Sequence, residues 1–169
     1  MAQSLFCRYK ESFSEQPCQS GTLTRPAVEP QFAAGPWQLI IKISSSRSRK
    51  QRRRAYTYEA INPLGARVFF GVNSSISKTT TGCLLDAMVE TSLIVTAHNF
   101  QRVLFLSDCG GLITTFNNRS ASSWQDPTRL ADLDSLVWSG FLCKVILVPL
   151  LIVNYVNIVA KQATPVPLR

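Results

Sequence analysis

Apolar and polar positions divide the chain at Trp37. Residues 1–36 hold Pro17, Pro26, Pro30 and Pro36 among Ser and Gln with no sustained apolar period, which predicts a mobile tail. From Gln38 to Ile43 the residues turn apolar and β-branched, a first strand. Ser44 to Arg54 is rich in Ser and Arg, and this composition predicts an exposed loop. Tyr56, Tyr58 and Ala60 then recur at every second position, so Tyr56 to Ile61 reads as a second strand. Asn62-Pro63-Leu64-Gly65 follows as a turn, with Pro presetting the backbone and Gly closing it. The third strand, Ala66 to Val72, is its hairpin partner, and three consecutive strands favour an antiparallel meander.

The period changes after the polar link at 73–81. Leu84, Ala87, Met88, Thr91 and Val95 stand at helical spacing, which predicts a helix over Cys83 to Asn99, although the β-branched run Ile94-Val95-Thr96 opposes it. Arg102 to Ser107 reads as a short strand ending at Asp108, followed by Cys109-Gly110-Gly111 and a helix over Leu112 to Phe116. Ser120 to Pro127 reads as a loop, Leu130 to Phe141 as a helix, Cys143 to Val148 as a strand and Val153 to Ala163 as a final helix. The order βββαβααβα specifies a mixed α/β domain with flanking helices. Phe141 to Val159 carries a single charge, Lys144, and is long enough to cross a membrane. Pro149, Asn154 and Asn157 suit a strand, a break and a helix better, so membrane association stays the minority alternative.

Composition narrows the function. The 169 residues amount to one domain on the usual prior, and 46% hydrophobic against 17% charged residues excludes a wholly disordered chain or a coiled coil. Lys and Arg number 18 against 10 Asp and Glu, a net charge of +8, which points to a polyanionic partner. Arg47, Arg49, Lys50, Arg52, Arg53 and Arg54 fall within eight positions, and without those six the balance drops from +8 to +2. The run suits a nuclear import signal, a phosphate-binding loop or a merely solvated stretch. Tyr56 and Tyr58 directly follow and could stack on bases, though strand tyrosines more often pack against neighbours.

Other chemistries find little support. Cys7, Cys18, Cys83, Cys109 and Cys143 are odd in number and too far apart for a zinc site, so they read as reduced structural thiols. The single His98 excludes a multi-histidine metal centre, and neither a Gly-rich phosphate loop nor a Ser nucleophile elbow is present. No small-molecule substrate is indicated. Asn73-Ser74-Ser75 and Asn118-Arg119-Ser120 match the glycosylation acceptor pattern, which has meaning only in a secreted protein. The first 24 residues lack a continuous apolar segment and include Glu11 and Glu15, so no signal or transit peptide is expected and the expectation is an intracellular protein.

The three-strand meander, the helix from Cys83, the Ser107-Asp108 pair, Val148-Pro149, Asn154 and the Ala160-Lys161-Gln162-Ala163 run together resemble the ribonuclease H type-1 domain. With Trp37 before the first strand, the match is to its plant, retroelement-derived branch. The resemblance covers Trp37 to Thr164, with tails at 1–36 and 165–169. It implies a ribonuclease H-like fold with a mixed five-stranded sheet, and an ancestral activity of cleaving the RNA strand of RNA–DNA hybrids.

That activity asks four acids to hold two Mg²⁺ ions with hard oxygen ligands. Carried over residue by residue, the acid at the end of the fourth strand falls on Asp108. The first-strand acid falls near Ile43, the helix acid on Leu84 and the last on Asn157. Three of four are replaced, so the resemblance implies a nucleic-acid-binding domain that is catalytically degenerate, with Mg²⁺ needed only if activity survives. Asp108 reads equally well as a surviving ligand position or as a turn former before Gly110-Gly111. Asp86 is the one candidate substitute, which would leave a residual hybrid nuclease, but it points roughly 200° away from Leu84 around the helix. Asp86 and Glu90 share a face four residues apart, and a solvated face is the favoured reading.

Overall fold

A computed structural model of the chain describes residues 37–48, 53–120 and 123–164. The predicted tails at 1–36 and 165–169, and Arg49, Lys50 and Arg52, lie outside the described residues. The elements run β1 (Leu39–Arg47), β2 (Arg54–Ile61), β3 (Arg67–Ser75), α1 (Thr80–Ala97), β4 (Arg102–Ser107), α2 (Gly110–Asn118), α3 (Asp126–Trp138), β5 (Leu142–Leu147) and α4 (Leu150–Ala163). They form one five-stranded sheet in the order β3-β2-β1-β4-β5. The first three strands pair antiparallel, while β1 with β4 and β4 with β5 pair parallel. The predicted mixed sheet and element order are both present.

Side-chain alternation separates the two faces of the sheet. Leu39, Ile41 and Ile43 of β1, with Tyr56 and Tyr58 of β2 and Val103 and Phe105 of β4, join Leu84, Leu85 and Met88 of α1 in the main core. Their neighbours in β1 face the opposite way, where Ser44 meets Asn157 of α4. β1 is central and covered on both faces, which is why six consecutive residues, Leu39 to Ser44, are buried. The Pro63 turn forms as expected: Asn62 Oδ1 accepts from the Leu64 and Ala66 amides at 3.0 and 2.9 Å, and Gly65 takes the left-handed φ of 80°.

Several boundaries differ from the sequence reading. The two ends of the stretch predicted as an exposed loop are paired strand: β1 continues to Arg47, β2 begins at Arg54, and Ser44 to Arg47 pair with Thr57 to Arg54 in register. Cross-strand pairing overrides the polar composition there. β3 likewise runs on to Ser75, because Asn73, Ser74 and Ser75 pair with Tyr56, Ala55 and Arg54. α1 starts earlier than predicted, at Thr80, capped by Thr79, whose Oγ1 accepts from the Gly82 amide at 3.0 Å. α3 begins at Asp126 with Pro127 in its first turn and stops at Trp138, where Gly140 at φ 96° ends it, three residues before the predicted Phe141. α4 starts directly after Pro149 rather than at Val153. Among the described residues no helix is long and apolar enough to cross a membrane, and the apolar span 141–159 divides between β5, the Pro149 break and α4.

Candidate nucleic-acid interface

The end of the sheet reached by β4 brings Asp108 and Asn157 to one level but leaves Ile43 and Leu84 in the core. Parallel pairing sets Lys42 of β1 opposite Leu106 of β4, so the next residues bring Ser44 level with Asp108. The Ser107 hydroxyl accepts from the Cys109 amide at 3.3 Å, and this local turn leaves Asp108 exposed at the strand end. Asn157 reaches the same level from α4, its Nδ2 donating to Ser44 Oγ at 3.0 Å. Ile43 and Leu84, at the other two expected acid positions, are 0% and 1% exposed in the main core. Of the four positions, then, one is an exposed carboxylate, one an amide bonded to a serine, and two are apolar core.

Asp86 is committed elsewhere. Its carboxylate accepts from the Ser75 hydroxyl and is gripped in two-point fashion by the Arg129 guanidinium of α3, through Nε and through Nη2 at 3.1 Å. Glu90 accepts from Tyr56, from the Tyr58 hydroxyl at 2.9 Å and from Asn73 Nδ2 at 3.1 Å. Both acids do share one face of α1, lining a cleft of about 410 Å³ with Tyr56 and Arg129, but that face is bonded rather than solvated. The solvated-face expectation is corrected for a simple reason: the partners come from β2, β3 and α3, which the spacing within α1 does not show. Tyr56 and Tyr58 are buried under α1, so they pack as strand tyrosines.

A prediction follows for Asp86. Asp86→Asn removes the charge that faces the nine-tenths-buried Arg129 while keeping the shape, and should lower stability by roughly 2 kcal/mol. Urea unfolding of the variant measures this; a midpoint equal to that of the parent would show that the ion pair is idle.

Two long-range features add basic groups and helix starts to this end of the sheet. β1 and β2 extend beyond Ser44 by three residues, on the order of 10 Å, to the paired Arg47 and Arg54, and the Ser48 amide donates to the Arg53 carbonyl at 2.9 Å. Arg47 and Arg53 are exposed, whereas Arg54 turns back, donating to the Lys78 carbonyl at 3.0 Å and to Thr80 Oγ1 at 2.9 Å. Arg54 therefore ties the hairpin to the start of α1. The starts of α1 and α2 also abut: a Cβ added to Gly111 would lie 3.0 Å from Thr81 Oγ1. Neither helix carries an acid in its own first turn, but Asp126 of α3 lies against Gly82 at the start of α1 and Asp108 directly precedes α2. This convergence was not read from the sequence, where only the glycines at 110 and 111 hinted at a close approach.

The arrangement suits phosphate better than a cation pair. Exposed arginines attract phosphate oxygens. Two Mg²⁺ ions need several charged oxygens, and among the described residues no group of three His, Cys, Asp or Glu side chains could hold a metal ion. With Ile43 and Leu84 buried in the core and Asp86 engaged by Arg129, the residues present do not fit a two-metal centre.

No protein-family model and no curated protein sequence matches the chain. Solved structures do. Ribonuclease H1 from the archaeon Halobacterium salinarum superposes with a TM-score of 0.61 at 12% identity, over 73% of this chain and 97% of that one. The N-terminal ribonuclease H domain of a Mycobacterium tuberculosis protein gives 0.64 at 10% identity, over 75% and 93%. A compost-derived ribonuclease H1 in complex with an RNA/DNA hybrid gives 0.66 at 7% identity, over 75% and 96%. At these identities the likeness is one of architecture, and the architecture is that of the ribonuclease H-like fold.

Proposed function

We propose that the chain is a nucleic-acid-binding ribonuclease H-like domain that holds RNA–DNA hybrid without cleaving it. The observation that carries this reading is the make-up of the β4 end: Ser44 and Asn157 stand level with the exposed Asp108, Ile43 and Leu84 are turned into the core, and an arginine hairpin extends beside them. Asp108 then stands as a lone exposed carboxylate at the β4 turn, and Mg²⁺ has no catalytic role. Trp37, Ser107-Asp108, Val148-Pro149 and Ala160 to Ala163 support a descent from the plant, retroelement-derived branch. An intracellular site of action is part of the same proposal, with import to the nucleus if the arginine run is read as a signal.

Binding should be steeply salt-dependent, since each phosphate neutralised releases counterions. Purified protein titrated with a fluorescent RNA–DNA hybrid should show a log–log salt slope that falls by about 2–3 in the triple variant Arg47→Ala, Arg52→Ala, Arg53→Ala. Arg54 is left intact because it braces α1. An unchanged slope would remove the hairpin from the interface. The same hybrid incubated with Mg²⁺ or Mn²⁺ should stay whole; cleavage that Asp108→Asn abolishes would overturn the non-catalytic reading.

A further inference from the structure

Counting from Trp37 places the first-strand acid near Ile43, but Ile43 is fully buried in the main core with Leu84, Leu85 and Met88 of α1. Ser44 follows it and faces the other way, because successive strand residues alternate between the two faces of a sheet. Lys42 and Leu106 are partners in the parallel register of β1 and β4, so two residues further on Ser44 comes level with Asp108. Asn157 reaches the same level from α4, its Nδ2 donating to Ser44 Oγ at 3.0 Å. A hydroxyl, an amide and a carboxylate, each from a different element, thus stand at one end of the sheet.

The surroundings of Ser44 suit a carboxylate better than a hydroxyl. Ser44 pairs across the strands with Thr57, which is buried and whose Oγ1 has no hydrogen-bond partner among the described residues. Cross-strand partners share a face, so the Thr57 hydroxyl and the Asn157 amide are both donors on the side of position 44. Ser44 offers one oxygen there, whereas an acid offers two. Asn157 Oδ1 is also buried and without a partner among the described residues.

We infer that Ser44, not Ile43, stands at the first-strand acid position, and that its hydrogen bond to Asn157 joins β1 to α4 where two carboxylates would need a cation between them. Two carboxylates facing each other there repel, and a divalent cation offsets that repulsion with its own charge. A neutral hydroxyl and amide meet without repulsion, so this end of the fold is complete without metal. The same geometry makes the change reversible. Ser44→Asp with Asn157→Asp, beside Asp108, sets three carboxylates at one level, which supplies the several charged oxygens that a hard cation requires. Stability of the fold is the readout, and it does not depend on whether the chain binds hybrid.

Thermal unfolding of the full chain is compared in excess EDTA, in millimolar MnCl₂ and in KCl of equal ionic strength. The parent midpoints should agree within about 1 °C. Ser44→Asp with Asn157→Asp should melt roughly 5 °C lower in EDTA and regain most of that loss in MnCl₂ but not in KCl. Adding Asp108→Asn should cancel the recovery. Should the pair fail to fold, Asn157→Asp alone, which keeps the shape of the side chain, makes the same test beside Asp108 with a smaller recovery. Ile43→Asp with Asn157→Asp puts the new acid in the core and should lose the fold in every buffer. A parent stabilised by MnCl₂ several degrees beyond KCl overturns the inference, as does a folded acidic variant that gains nothing from MnCl₂. Recovery by the Ile43 pair in place of the Ser44 pair would return the position to Ile43.

Discussion

Glu90→Ala should destabilise the domain by about 3 kcal/mol, lowering its melting temperature by roughly 10 °C. The carboxylate is the shared acceptor of the Tyr56 and Tyr58 hydroxyls and of the Asn73 amide. Both phenols are buried, their rings 6.5 Å apart, and Tyr58 also packs against Phe69 at 6.0 Å. Removing the acceptor leaves two buried hydroxyls with a lost bond each, at about 1–3 kcal/mol per orphaned group. Relief by movement is restricted. Gly71 sits so close to the Tyr58 ring that a Cβ there would lie 2.2 Å from it, so that ring is wedged against β3. Glu90→Gln should recover most of the loss, because its amide oxygen still accepts from one phenol and its amide nitrogen can donate to the other. Thermal unfolding of both variants decides the matter: a loss below about 0.5 kcal/mol for Glu90→Ala would mean that this face of α1 is solvated after all.

Glu90 also marks where reading along the chain stops being informative. The strands were visible because period two and turn chemistry are local: Tyr56, Tyr58 and Ala60 on one face, Asn62 to Gly65 closing the hairpin. β4 is legible from end to end, because its apolar run is short and bounded by Asp108. The extension of β1 to Arg47 was not, since Ser44 to Arg47 join the sheet only through partners on β2, Thr57 back to Arg54. The same holds for the acids. Asp86 is engaged by a residue 43 positions downstream and Glu90 by tyrosines more than 30 positions upstream. Helical spacing places two carboxylates on one face, but what faces them is a property of the packing.

The candidate site divides in the same way. Ser107-Asp108 announces the strand end in the sequence, whereas the meeting of Asn157 with Ser44, 113 positions apart, depends on the packing of α4 on the sheet. The abutting starts of α1 and α2 depend on a contact between Gly111 and Thr81, 30 residues apart, which no local pattern records. α4 illustrates the converse. Its excess of apolar residues was evident and suggested a membrane span, yet one stripe faces the sheet and the other faces outward. An all-apolar helix and a two-sided one look alike until the sheet is in place.

Raising the pH from 8.5 to 10.5 should cost the fold about 4 kcal/mol, more than the loss of any single side chain considered above. Burial pushes the Cys83 thiol from its usual 9.0 up to about 11, and burial does the same to the Cys143 thiol. The Tyr56 and Tyr58 hydroxyls are held well above their ordinary 10.0, first by burial and then by the negative charge of Glu90. Each is an acid that stays protonated longer in the folded chain than in the unfolded one. The unfolded chain therefore loses protons first as pH rises, and the equilibrium moves towards it. The stabilisation is complete below pH 9, is drawn down between 9 and 11 by the two thiols, and is drawn down further above pH 10 by the two phenols. Each group contributes roughly 1 kcal/mol per pH unit across its window. Urea midpoints measured at half-unit steps should fall steadily over this range. Cys143→Ala should flatten the slope between pH 9 and 10, and Tyr56→Phe should flatten it only above pH 10. Midpoints that hold constant to pH 10.5 would mean that the thiols are not confined in the core, and would count against the packing of Cys83 beneath β1.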